Sequence, residues 1–296
     1  NGMTSFPKGM HGLTQLFEFF LESVEKTVAK RKRYNPSEQI IKTALKDFAS
    51  ALFPNNFSGL PTGDARKLIN AYDPNGSKGE SLFDELLYEG ILSEDISYND
   101  KGEGYPVVRF TYERFSDHFI AQQIVSQYDE NAVKGIFSES EPMGKILTGR
   151  GIHRYEGIFE ALSIVLAEQY RLELVDLLPE DFDGFRDGWV LERIFTETIV
   201  WRSPDSFTDR TLEILNMLRG HEFSSPAIDT LLKLSTEPNH PWNADRLHKS
   251  LVNRSMAERD RFWSIHIAFG DQFEEDGEAE SIVRTLIEWS CFGDIK

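Results

Sequence analysis

A phosphate-gripping loop would be the most decisive chemistry this chain could carry, and its pieces are missing. A P-loop needs Gly-x-x-x-x-Gly-Lys-Ser/Thr, so that backbone amides wrap the phosphates and the hydroxyl meets Mg²⁺. Gly144-Lys145 is followed by Ile146 and lacks the earlier glycine. The run Asp73-Pro74-Asn75-Gly76-Ser77-Lys78 imitates the start of an EF-hand. That loop requires Gly at its sixth position and normally Glu at its twelfth; here those positions hold Lys78 and Asp84. The run is read as a turn that opens a helix.

The seven histidines show no His-Glu-x-x-His spacing, and His240 and His248 are separated by Pro241 with no acid placed for them. They read as packing or surface residues. No Gly-x-Ser-x-Gly elbow is present, which disfavours an α/β-hydrolase. Cys291, close to Trp289 and Phe292, reads as buried rather than reactive. The carboxylates scatter over helix faces, and none forms a recognisable catalytic pair. No catalytic residue, metal ligand or cofactor is therefore assigned to this chain by itself.

The totals agree with a folded, non-catalytic body. Of 296 residues, 40% are hydrophobic and 12% aromatic, enough apolar surface for more than one core, so disorder is not expected. The formal net charge of -17 repels phosphate backbones, and general nucleic-acid binding is disfavoured. One cysteine excludes an intrachain disulfide and fits a reducing, cytoplasmic setting. No stretch is long and apolar enough to span a bilayer, and no membrane partner is expected. Asn1-Gly2 before Met3 reads as a remnant at a cut end.

Hydrophobic periodicity supplies the elements. Leu13 to Arg33 is an amphipathic helix ending in Lys30-Arg31-Lys32-Arg33, a run that suits the negative pole of the helix dipole and reads as a solvated end. Pro36 opens a second helix, with Ile41, Ala44, Leu45, Phe48 and Leu52 in its stripe. A third runs near Thr62 to Tyr72, and a fourth from Glu80 to Glu89 ends at Gly90. Ile96 to Tyr98 and Val107 to Phe110 read as strands around an Asn99–Gly104 hairpin loop, and Thr111 to Tyr128 as a long helix.

After Asp129 the pattern is helical throughout. The expected helices are Tyr155 to Leu177, Trp189 to Arg202, Thr208 to Arg219, Pro226 to Ser235, Ala244 to Asn253, Ala257 to Phe269 and Ala279 to Cys291. The fold class expected is mainly α: a winged-helix domain with one small β-hairpin, followed by an α-solenoid of the HEAT or armadillo kind or by an irregular helical array. The divisions are 1–35 as a leading helix, 36–130 as the winged helix and 131–296 as the helical, repeat-like domain.

A winged helix that reads DNA offers Arg, Lys, Asn or Gln from its third helix. From Gly79 to Gly104 this chain has eight acids and one base, Lys101. The module is therefore expected to pack against protein. Exposed aromatics of the helical part would supply a partner surface, and Trp201, Trp242 and Phe262 are the candidates; core packing is the alternative for each.

The segment Arg109-Phe110-Thr111-Tyr112-Glu113-Arg114-Phe115-Ser116-Asp117-His118-Phe119-Ile120-Ala121 resembles the one that closes the winged helix of bacterial STAND-class, NACHT-like NTPases. Leu86-Leu87-Tyr88-Glu89-Gly90-Ile91-Leu92 is similar to their third helix and turn, and Leu13 to Arg33 to the helix that leaves their ATPase core. His240-Pro241-Trp242-Asn243-Ala244-Asp245, Met256 to Ser264 and Ile282 to Ser290 resemble their helical region. The resemblance implies an upstream P-loop core that binds ATP and Mg²⁺ in a longer protein, oligomerisation there, a winged helix packed on that core, and a C-terminal region that senses a trigger. Many such proteins act in antiviral defence. In many of them a His two residues after the strand Phe touches a phosphate. Tyr112 stands there and His118 follows, so the resemblance makes Tyr112 and His118 the candidates for nucleotide contact, against packing or capping roles for both.

The function expected is thus a regulatory and sensor fragment of a STAND-type ATPase, with ATPase activity only in the intact protein. The alternatives are a winged-helix transcription regulator with a helical ligand-binding domain, and an all-helical hydrolase whose carboxylates would have to converge on an apolar pocket.

Overall fold

The apolar spacing at the start of the chain folds as α1 (Leu13–Lys32), which buries Leu21, Val24, Val28 and Ala29 and stops at Arg33 in a left-handed conformation, φ 58. The computed structural model describes residues 12–53, 59–74, 76, 80–147, 151–179 and 184–218. Contacts divide the chain into two units, 1–182 and 183–296.

The second helix begins later than Pro36 suggests. Pro36–Glu38 form one 3-10 turn, Gln39 is left-handed at φ 50, and α2 spans Ile40–Leu52. The physical reason lies on α1. The buried Glu25 carboxylate accepts the backbone N–H groups of Ile41 at 3.0 Å and Lys42 at 3.3 Å, so it caps the orphan donors of a helix starting at Ile40. Its other oxygen accepts from the Tyr34 hydroxyl at 2.7 Å.

A short strand, β1 (Leu60–Pro61), precedes α3 (Thr62–Asn70) and α4 (Leu82–Tyr88). A capping box in which Ser81 and Asp84 exchange hydrogen bonds fixes the start of α4. Gly90, at φ 69, then turns the chain into β2 (Leu92–Tyr98) and β3 (Gly104–Phe110), which lead to α5 (Glu113–Val125). The sheet is antiparallel in the order β1-β3-β2, with Leu60 opposite Val108 and Ile96 opposite Pro106.

Aromatic rings hold the centre. Phe115 meets Phe17 at 5.1 Å, Phe20 at 5.9 Å and Phe119 at 4.9 Å between centroids, and Phe48 meets Phe110 at 5.2 Å. Along α1, Leu16, Phe17, Phe19 and Phe20 stay half-buried, and Phe17 and Phe20 lie against the Phe115 ring of α5.

Beyond α5 the helices are short: a 3-10 turn at Ala132–Gly135, α6 (Pro142–Leu147) and α7 (Gly151–Arg154). The helix expected over Tyr155 to Leu177 is two pieces. α8 (Glu156–Tyr170), which packs on α5, ends at left-handed Arg171, φ 58, and a 3-10 turn follows at Leu174–Leu177. The second unit contains α9 (Gly184–Ile199), a 3-10 turn at Pro204–Ser206 and α10 (Asp209–Leu218). There the Arg202 guanidinium lies 5.3 Å from the centre of the Phe195 ring, with both residues buried. The four helices expected after Pro226 lie outside the described residues. Among the described residues the chain is mainly helical with this one small sheet, and no helix is long and apolar enough to cross a membrane.

Candidate functional site

The acidic α4 is neutralised from within the chain. Arg31 of α1 donates from Nε to Glu85 at 2.7 Å, pairs with Glu89, and lies 5.3 Å from the Tyr88 ring. Lys32 Nζ is buried and bonds Asp73 Oδ2 at 2.9 Å and the Glu80 carbonyl at 2.7 Å. Arg66 of α3 reaches Asp84 at 2.9 Å and lies 4.3 Å over Phe83. The basic run at the end of α1 is therefore not simply a solvated helix end. Two of its four cations, Arg31 and Lys32, hold α1 against α4 and the turn before it. These cations face carboxylates, not a groove open to a phosphate backbone.

The β2–β3 hairpin is the part that projects. Asn99 N–H bonds Glu103 and Thr111 N–H bonds Ile91, so the odd residues of β2 carry the ladder and the even ones face its outer edge. On that edge the Ile96 N–H is taken by the Asp95 side chain at 2.8 Å. On the other strand Pro106 has no N–H to offer. Both edges are thus blunted against a further strand. The side chains tell a different story. Ile96 is 59% exposed, Tyr98 69% and Tyr105 39%, and on the helix before the hairpin Tyr88 is 80% exposed.

A polar cluster joins α1, α5 and α8. The Thr14 hydroxyl donates to Glu168, and its oxygen lies 3.0 Å from His118 Nε2. Gln122 Nε2 stands 3.4 Å from the same atom, and Phe17 borders the ring edge-on. His118 is fully buried and its Nδ1 has no hydrogen-bond partner. Burial pushes its pKa down to about 4, so the ring is neutral at pH 7. Glu168 touches the hydroxyl and not Nδ1, so the three do not form a Ser-His-Asp-type relay.

Beside it, Asp117 faces α8. A Cβ on Gly157 would come within 2.1 Å of Asp117 Oδ2, so glycine is what lets the carboxyl lie against that helix. Burial, and then the charges of Glu113 and Glu160, push its pKa up to about 7.

Of the candidates named from sequence, Tyr112 stands at the N-cap of α5 and is 62% exposed, whereas His118 is in the core. The two are not brought together on one surface. Trp201 follows α9 and is 43% exposed; Trp242 and Phe262 lie outside the described residues. Sequence reasoning missed Thr14, Glu168 and Asp117, whose partners are far away in the chain. The one available signal was Gly157 near the start of an apolar helix, where a glycine asks for a reason. Buried and neutral at pH 7, His118 presents no charge to a phosphate. Among the described residues no group of three or more His, Cys, Asp or Glu is placed to hold a metal ion. No family model matches the chain, and neither a curated protein nor a solved structure does.

Proposed function

We propose that this chain is the regulatory and sensor segment of a STAND-type ATPase, working by protein contact and not by chemistry of its own. Residues 36–130 act as a winged-helix module and 131–296 as the helical sensor, solenoid-like or irregular. Its partners are the ATPase core of the intact protein and a protein trigger on the helical part, where Trp201 is 43% exposed. ATP and Mg²⁺ belong to the intact protein, in a cytoplasmic, defence-type setting.

The observation that carries this is the charge state of the third helix in the order α2–β1–α3–α4–β2–β3. In a DNA-reading winged helix that element would be basic. Here α4 carries Asp84 and Glu85 and is capped by Glu89, and the neighbouring Arg31 and Arg66 are spent on them. A transcription regulator would need those cations free.

The test uses the full reading frame. Protein made with the residues encoded upstream should retain bound nucleotide and hydrolyse ATP. Within that protein the exposed Tyr112, not buried His118, is the side chain available to nucleotide, so Tyr112→Ala should weaken nucleotide affinity. A full frame that lacks a P-loop region removes the ATPase assignment, and unchanged affinity removes Tyr112 from it.

A further inference from the structure

The hairpin presents an apolar face that the chain leaves open. Ile96 and Tyr98 are two residues apart on the same face of β2, which continues outward from buried Leu92. Pro106, also exposed, stands directly across from Ile96. The face is held in shape by Gly104: a Cβ there would sit 3.0 Å from Ile96 Cγ2 and 3.4 Å from a ring carbon of Tyr98. Both side chains therefore lie over the glycine.

The surroundings specify what could sit on it. Glu94 is on the same face, one step toward the core, and Asp100 and Glu103 stand in the loop, all exposed. Lys101 is the loop's one cation, and Arg109 is paired with Asp95 at 2.6 Å. Nucleic acid and anionic membrane are repelled by this border. Strand addition is blocked because the Ile96 N–H is already taken and Pro106 has none. What remains is side-chain contact with a cationic protein surface.

We propose that the Ile96–Tyr98–Pro106 face docks a protein segment carrying an apolar or aromatic side chain between lysine or arginine residues. This rests on the protein-contact part of the function above and is independent of any ATPase. Tyr98 is the anchor, since an aromatic ringed by polar groups is the usual centre of a small interface, and the carboxylates choose the partner by charge.

The probe is a synthetic peptide alternating Lys with Leu and Trp, together with its Glu-for-Lys counterpart, titrated into the whole isotope-labelled chain and followed by amide shifts. The Lys peptide should shift residues 94–98 and 104–106. Ile96→Ser with Tyr98→Ser should weaken it about tenfold. Glu94→Lys with Glu103→Lys should weaken it by about as much and should let the Glu peptide bind instead. All four positions are exposed, and an unchanged spectrum elsewhere shows that the fold is kept. Affinity for the Lys peptide unchanged from the unaltered chain in either double variant, shifts spread over the acidic surface at large, or self-association of the chain through this face without peptide would each overturn the proposal. Such a failure, with duplex DNA still unbound, removes this face alone and leaves the module a protein-contact unit.

Discussion

Lys32 Nζ lies 2.9 Å from Asp73 Oδ2, with both groups withdrawn from solvent. The same oxygen accepts the Leu82 N–H at 2.8 Å, so one carboxylate joins the end of α1 to the start of α4. Removing one partner of a buried pair strands the other, which is worse than removing both. Asp73→Ala should lower the stability of the first unit by about 3 kcal/mol, and Lys32→Met with Asp73→Leu by markedly less. Denaturant titration of the two variants checks the order; equal losses would mean that the pair is not desolvated.

Asp117 gives the fold a pH dependence of unusual sign. Its folded pKa, about 7, is raised above the ordinary carboxyl value of 3.8. The protonated form is therefore favoured by folding, and ionisation is opposed. This carboxyl leaves stability untouched below pH 4, withdraws it as pH rises, and has its full unfavourable effect above pH 7. Asp117→Asn should stabilise the chain at pH 8 by roughly 2 kcal/mol and leave it nearly unchanged at pH 4. Melting curves at the two pH values provide the comparison, and a gain confined to acid pH would contradict the burial.

Three glycines should respond differently to one methyl group. At Gly144 an added Cβ would meet the Ser138 carbonyl oxygen at 1.9 Å, which only a backbone shift can relieve. Gly144→Ala should destabilise by about 2 kcal/mol or more. At Gly157 the obstacle is the Asp117 carboxyl, so Gly157→Ala should be rescued in part by Asp117→Ala. Gly63, with nothing within 4 Å, should accept Ala and gain about 0.5 kcal/mol from helix propensity. The ranking of the three melting temperatures is the readout.

Glu25 is a capping residue supplied by another helix. Glu25→Ala removes the acceptor for Ile41 and Lys42 N–H and the partner of the Tyr34 hydroxyl, and should lower stability by about 2 kcal/mol. Hydrogen exchange should then speed up first at residues 40–43, the turn of α2 that loses its cap. Uniform loss of protection would mean that the cap is not local.

Legibility in the sequence followed the range of the interactions. α1, α2 and α5 carry apolar residues at helical spacing and were placed to within a few residues, and Gly90 and the Asn99–Gly104 loop marked the hairpin. β1 escaped notice because two residues make no periodic signal; it exists through its pairing with Val107 and Val108. Arg171 broke the expected helix because its backbone turns left-handed, a conformation non-glycine residues seldom announce. The acidity of α4 was plain in the letters, but the meaning of Lys30–Arg33 was not. That two of these cations hold α4 depends on a partner about 54 residues away. Trp201 could be named from its residue type, whereas the exposure of Ile96 and Tyr98 follows from how far β2 and β3 outrun the core.

The most direct test is a titration of the chain with duplex DNA of mixed sequence at low salt, where electrostatic binding is strongest. An acidic α4 with Arg31 and Arg66 held by its own carboxylates predicts no complex up to high micromolar protein. A tight, salt-sensitive complex that Arg31→Ala or Arg66→Ala weakens would contradict it and restore the DNA-reading alternative.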